Sequence, residues 1–288
     1  MNKSFTLIEI LVVIVVIGIL SAFILVGMSS INSSANIAKN QAFLNSMNNS
    51  LLLARVSQWK LDETSGITAY DSWGTNNGTL LGGATIPLIQ TTGCVSNNCL
   101  YFDGTDDYVD CGNNVGLNLT NSFTLSVWLK SYNSDVGYII GRFEATDAGY
   151  IMRWDDVGLT LWYGDTENVN SNAFTSSSNW TLAIISFNSG TVNFYRNGAA
   201  IGTTSGITIG TAVSTHNTIG TRYNGSSVGH FFNGLIDDAR IYNQAIPTSE
   251  IQQNYFVGIS KLFKNNGIGL KEFNLRIAEL KSSLVFDK

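Results

Sequence analysis

Asp71-Ser72-Trp73-Gly74-Thr75-Asn76-Asn77-Gly78 gathers carboxylate and amide oxygens into one glycine-bounded turn. Calcium takes about six to eight such hard oxygens, so Asp71 and Asn76, completed by backbone carbonyls, form a candidate cation site. The same residues also suit a plain turn in which Asp71 and Asn76 cap backbone amides. Asp103, Asp106, Asp107 and Asp110 form a second acidic group around Asp103-Gly104, and this one reads as a solvated turn. Trp73 lies in the first turn, while Trp154, Trp162 and Tyr163 fall on adjacent expected strands. Aromatic faces beside hydrogen-bonding groups make a platform for a sugar ring, although a sandwich also buries many aromatics in its core.

Cys94 and Cys99 bracket Val95-Ser96-Asn97-Asn98 and can close that loop if the backbone turns back on itself. The entropic gain from so short a loop is small, so the bond would act locally, pinning the approach to a strand from Leu100. Cys111 would then be a free, buried thiol; a bond from Cys111 to either of the others stays open. This cysteine spacing with two scattered histidines does not suit zinc. Catalysis finds little footing. His216 and His230 lie in no Ser- or Cys-nucleophile motif, Glu144 and Glu167 stand alone, and no Glu-x-Asp-x-x-Glu strand occurs. The expectation is a protein without enzymatic activity.

The elements that must position these groups follow from the pattern. The chain has 288 residues, only 13% of them charged, with 28 Gly and 2 Pro, a composition for short strands joined by turns. Residues 59–258 carry 7 basic and 17 acidic side chains, which argues against nucleic acid as the partner of this segment. Expected strands include Leu100–Asp103, Asp107–Cys111, Phe123–Lys130, Tyr138–Arg142 and Tyr150–Trp154. Others are Leu159–Tyr163, Trp180–Phe187, Thr191–Arg196, Asn217–Gly220 and Gly234–Tyr242, separated by turns such as Arg196-Asn197-Gly198. Short strands at this spacing indicate an antiparallel sandwich. Phe123, Leu125 and Val127 alternate with Thr124, Ser126 and Trp128, and Trp128 implies that the second face is partly covered too.

The N-terminus is different. Ile10 to Met28 carries no charge and is long enough to span a bilayer as a helix. Glu9 sits at its edge, with Phe5-Thr6-Leu7-Ile8 before it. A carboxylate there is costly and implies a partner, such as the free ammonium of a neighbouring copy. Residues 29–56 lack Pro and Gly, and Phe43, Met47, Leu51 and Ala54 recur at helical spacing, so one long helix is expected from Phe5 to about Val56. Phe5-Thr-Leu-Ile-Glu9 ahead of such a helix resembles the start of type IV pilins and pseudopilins. The resemblance implies a leader at 1–4 removed by a prepilin peptidase after Ser4, where the family usually has Gly. It also implies an N-methylated Phe5 and a Glu9 that governs assembly with other pilin-like subunits. The protein would be anchored in the inner membrane by 5–28 and then displayed in a surface or extracellular filament.

A second resemblance rests on an ordered set of pieces. These are Trp59-Lys-Leu-Asp-Glu63, the Ala69–Leu80 turn, Leu100-Tyr-Phe-Asp-Gly-Thr-Asp-Asp-Tyr-Val109 and Phe123–Trp128. Val192–Gly198, Thr218-Ile-Gly220, Phe232–Tyr242 and Ile246–Ile251 follow. Together they resemble the laminin-G-like, concanavalin-A-like jelly roll. That family implies a rim calcium shared by the Asp71 turn and the closing strand, so Asp237 (or Asp238) joins Asp71 and Asn76. It also implies a carbohydrate or cell-surface protein as ligand. Leu262, Phe263, Leu270, Phe273, Ile277 and Leu280 form a helical tail around Asn265–Gly269, similar to the short helical hairpins attached to many bacterial proteins. The expected organisation is a mainly β jelly roll over 57–258, behind the 29–56 helical half, with the tail at 259–288. The expected function is adhesion from a pilin-like subunit, probed against two alternatives: a structural minor pseudopilin of a type II secretion or DNA-uptake apparatus, and a glycoside-processing enzyme.

Overall fold

The computed structural model describes residues 54–285, apart from 134, 145–147, 156–157, 165–167, 172–177 and 213–214. Ser4, Phe5, Glu9 and the expected N-terminal helix up to Leu53 lie outside the described residues, as does Glu167. No helix among the described residues is long and apolar enough to cross a membrane.

The strands are β1 (Arg55–Trp59), β2 (Thr68–Ala69), β3 (Gly78–Leu81), β4 (Leu88–Gln90), β5 (Cys99–Asp103), β6 (Tyr108–Asp110), β7 (Ser122–Ser131), β8 (Gly137–Glu144) and β9 (Ala148–Asp155). They continue with β10 (Gly158–Trp162), β11 (Asn168–Asn170), β12 (Thr181–Asn188), β13 (Thr191–Arg196), β14 (Ala199–Ser205), β15 (Asn217–Ile219), β16 (Arg222–Tyr223), β17 (Val228–Gly229) and β18 (Asn233–Tyr242). Two helices, α1 (Thr248–Lys264) and α2 (Leu270–Val285), follow. The first sheet has the order β14-β13-β12-β7-β18-β5-β4, with β1 also on β18; the second has β11-β10-β9-β8-β15-β6-β3-β2; β16 and β17 form a hairpin. All strand pairs are antiparallel.

The core lies between the two sheets, because each strand there offers one apolar face at period two. Phe123, Leu125, Val127 and Leu129 of β7 meet Tyr150, Met152 and Trp154 of β9 within it, and Phe123 stacks on Tyr150 at 4.4 Å. The opposite face of β7 is covered by α1. Trp128 stacks on Tyr255 with ring centroids 5.8 Å apart, and a side chain at Gly258 would meet the Trp128 indole at 2.1 Å. Glycine there lets the helix backbone approach the ring.

Two boundaries differ from the sequence reading. Arg55 and Val56 belong to β1 rather than to the end of a helix, because Arg55–Trp59 pairs with the second half of β18 and tertiary pairing overrides local helical spacing. The helical tail starts at Thr248, not at 259, since Ile251, Tyr255 and Ile259 of α1 are all buried.

β18 is central. One side pairs with β7 along most of its length; the other pairs first with β5 at Asn233–Ile236 and then with β1 at Ala239–Tyr242. The register shifts between Asp237 and Arg240, where Asp238 takes φ 46°. This bulge turns the Asp238 carboxylate to Gln58 Nε2, which donates at 2.7 Å, and to Arg240, whose Nε donates at 2.9 Å. Arg240 also donates to Asn254 of α1 at 3.1 Å. Burial alone would raise the Asp238 pKa, but the Arg240 guanidinium and Gln58 outweigh it and hold the carboxyl below its ordinary value.

Gln58 links this pair to the Asp71 turn. Asp71 Oδ1 accepts from the amides of Gln58, Trp73 and Gly74 at 2.9, 3.1 and 2.8 Å, and Oδ2 accepts from Asn76 at 3.0 Å. Burial raises its pKa, but these amides together pull it below the usual value of 3.8.

Arg240→Ala strands the buried Asp238 carboxylate and is expected to cost ~3–5 kcal/mol of unfolding free energy, read from denaturant melts. The depressed Asp71 pKa means that its stabilisation is complete above about pH 4 and fades as acid titrates the folded carboxylate. Asp71→Ala should therefore lose on the order of 2 kcal/mol at neutral pH. The gap to the parent protein should close below about pH 4; a gap that stays constant into stronger acid would show that the charge does not hold the turn.

Candidate functional site

The pleat of the second sheet sorts its aromatic residues. Leu159 pairs with Trp154 and Leu161 with Met152, so Trp154 shares the core face with Leu159, Leu161 and Tyr163. Trp154 is 0% exposed and Tyr163 8%. Both are core residues, which corrects their assignment to a ligand platform. Trp162 has the opposite parity and pairs with Ile151. It packs with Ile151, Tyr138 and Phe143 on the outer face of the sheet.

That outer face carries cations over its rings. The Arg153 guanidinium lies 5.0 Å from the Trp162 ring and is ion-paired with Asp155. Arg222, presented by the β16–β17 hairpin, lies 5.5 Å from the Tyr138 ring and 5.3 Å from Phe143, distances at which a guanidinium is attracted to a ring face. Tyr138 meets Trp162 edge to face at 6.2 Å and His230 at 5.6 Å. Burial pushes the Tyr138 phenol up, opposed by Arg222 and Arg153. Burial, then the same two arginines, hold the His230 imidazolium pKa below its ordinary value of 6.5, so the ring is neutral at pH 7. Trp162 Nε1 and Arg153 Nε have no hydrogen-bond partner among the described residues. The result is a partly exposed indole under one guanidinium, next to a tyrosine ring that a second guanidinium and an imidazole contact. Tyr138, Arg153, Arg222 and His230 were not singled out as binding residues from sequence. The readable signal was parity: Ile151 and Arg153 alternate with Tyr150, Met152 and Trp154.

The other sequence candidates fall elsewhere. Trp73 stays on the Asp71 turn, 42% exposed, with the Arg55 guanidinium 4.9 Å from its ring. Among the described ring contacts it meets none of Trp154, Trp162 or Tyr163. Asp71, Asn76 and Asp237 are directed to different partners. Asp71 is committed to backbone amides, and the Asn76 side chain donates to Ser57 Oγ at 2.6 Å. Asp237, fully buried, accepts from the Ser96 amide at 2.9 Å. Burial pushes the Asp237 pKa well up, helped by the charges of Asp238 and Asp62. Asp71 Oδ1 takes three donors and Asp237 Oδ2 serves another loop, while Asn76 Oδ1 and Asp237 Oδ1 are buried without a hydrogen-bond partner among the described residues.

That loop is the one closed by a disulfide between Cys94 and Cys99, with Cα atoms 5.6 Å apart; Cys111 is free and buried. Asp62 also accepts from the loop, at the Asn98 amide. From the other side Trp180 Nε1 donates to Gly93 O at 2.6 Å. His216 pairs with Asp110 at 2.9 Å. The acidic group thereby divides: Asp110 serves His216, while Asp107 is buried rather than solvated.

Comparisons with known proteins agree with this architecture. A model of the concanavalin A-like lectin/glucanases superfamily matches residues 103–252, and one of the prokaryotic N-terminal methylation motif matches residues 1–25. No curated protein matches the sequence. Among solved structures, the chain is similar to domain 4 of AbnA, a GH43 extracellular arabinanase from Geobacillus stearothermophilus, in complex with arabinotriose. The identity is 20% and the TM-score 0.55, over 69% of this chain and 97% of that one. It is also similar to the binding domain of paraclostridial mosquitocidal protein 1, with 16% identity, TM-score 0.53 and coverage of 73% and 53%. A third is the ligand-binding domain of botulinum neurotoxin serotype D in complex with N-acetylneuraminic acid, at 13%, 0.55, 74% and 53%. The chain spans about half the length of these two toxin domains, and at such identities the likeness is one of fold. The superfamily match covers more than half of the sequence: the chain belongs to the concanavalin A-like lectin and glucanase superfamily, with a prokaryotic N-terminal methylation motif ahead of the jelly roll.

Proposed function

We propose that this protein is a pilin-like subunit that carries a lectin-like domain to the cell surface and adheres to carbohydrate there. The observation that carries the binding half is the outer face of the second sheet, where Arg153 lies over Trp162, Trp162 packs on Tyr138, and Arg222 and His230 meet Tyr138. An indole face suits the apolar side of a sugar ring, and guanidinium donors suit its oxygens. The sugar-bound solved structures of this fold support the reading by analogy of fold alone. In this reading the domain binds without turning its ligand over. The methylation motif supports the other half: a prepilin peptidase cleaves after Ser4, residues 5–28 anchor the chain in the inner membrane, and Glu9 pairs with the Phe5 ammonium of a neighbouring pilin-like subunit during filament assembly.

A glycan array probed with the full chain in detergent tests the binding. The parent protein should select defined glycans, and Trp162→Ala should weaken that binding about tenfold with little change in melting temperature, because Trp162 is partly exposed. Binding that survives Trp162→Ala at full strength would remove this face from consideration, and a blank array would end the lectin reading. Glu9→Ala is expected to abolish incorporation into filaments in cells while leaving membrane insertion intact. Normal incorporation of the variant would reduce residues 5–28 to a plain anchor.

A further inference from the structure

We propose that Asp103, Asp106 and Asp107 bind a calcium ion at the rim of the sandwich, where it ties together two loops that cross between the sheets. The first loop joins β5 of the first sheet to β6 of the second; Asp103 ends β5, and Asp106 and Asp107 lie in the loop. The second, residues 82–87, joins β3 to β4 in the opposite sense. Since β3 pairs with β6 and β4 with β5, the two crossovers run side by side.

Side-chain oxygens of the three aspartates lie within 4.8 Å of one another. Among the described residues no lysine, arginine or histidine forms an ion pair with any of them; the ion pairs go to Asp110, Asp155, Asp238 and Glu272. Three like charges at this distance repel strongly unless a cation or protons neutralise them.

The independent observation is Asp107. It is 1% exposed. Its Oδ2 accepts from the Asp103 amide at 3.0 Å, but its Oδ1 is buried and has no hydrogen-bond partner among the described residues. An orphaned anionic oxygen inside a protein costs free energy unless something binds it.

The second loop supplies the other wall. A side chain at Gly82 would lie 2.9 Å from Asp107 Oδ1 and 1.9 Å from the Thr85 carbonyl oxygen, and one at Gly83 would lie 2.3 Å from Asp106 Oδ2. Two successive glycines thus let the backbone close over the carboxylates, with the Thr85 carbonyl on the same side as Asp107 Oδ1. Three carboxylates and a carbonyl are a hard, all-oxygen set. Such a set with a flexible loop on one side and remaining positions open to water suits calcium. Asp106 makes no other side-chain hydrogen bond among the described residues, so its carboxylate is available for the ion.

Calcium chloride titrated into the chelator-treated full chain in detergent tests this by calorimetry and thermal melting near pH 7. One ion per chain should bind with a dissociation constant of about 1 mM or tighter, the range of extracellular calcium modules, and raise the melting temperature. Asp106→Asn should weaken uptake at least about tenfold and remove the thermal shift. Its melting temperature in chelator should equal or exceed that of the parent, which separates loss of the site from loss of the fold. No heat and no thermal shift up to about ten times that concentration would overturn the proposal. So would uptake that is unchanged in Asp106→Asn, or uptake lost in Asp237→Asn but kept in Asp106→Asn.

Discussion

The buried pair of Asp238 and Arg240 is the contact on which the first sheet depends. A carboxylate and a guanidinium taken out of water are tolerated only when both are fully bonded. Here that condition recruits distant parts of the chain. Gln58 of β1 donates to Asp238, and Asn254 of α1 accepts from Arg240. The bulge at Asp238 is what allows it. Without the extra residue β18 would present Asp237 and Asp238 to opposite faces, and β5 and β1 could not follow each other along the same edge. The backbone of Gln58 then extends the network to Asp71 and its turn. One buried charge pair thus sets where the start of the domain meets its end.

The second sheet works by a simpler rule. Its pleat sends Trp154, Tyr150 and Met152 inward and Trp162, Ile151 and Arg153 outward, so one stretch of chain builds the core and the exposed platform together. The platform is rigid because its smaller members are buried: Tyr138 and Phe143 support Arg222 from below. A surface built mainly on strands loses little conformational freedom on engaging a ligand.

Much of this was legible in the residues, for physical reasons that differ from element to element. The strands around Phe123–Lys130 and Thr191–Arg196 announce themselves because one face of each is apolar and the other is not. β14, Ala199–Ser205, does not: it is an edge strand of small residues with exposed or half-exposed side chains, and only its pairing to β13 defines it. Cys94 and Cys99 were readable from proximity in the chain. Trp154, Trp162 and Tyr163 look alike in composition, and only counting parity along each strand separates the first and third from the second. The burial of Asp107 was not readable at all, because the loop that covers it comes from residues 82–85, and nothing local to Asp103–Asp110 reveals that approach.

The central position of β18 has a consequence for the order of events in folding. The strand that joins β7, β5 and β1 is the last strand made. Contacts of such long sequence separation form late and slowly. Until residue 242 has been made, the first sheet is three pieces with unpaired edges, and such edges invite pairing with other chains. In the pilin-like reading proposed above, the N-terminal apolar segment would keep each unfinished domain tethered and apart from its neighbours, so that the segment serves folding before it serves assembly.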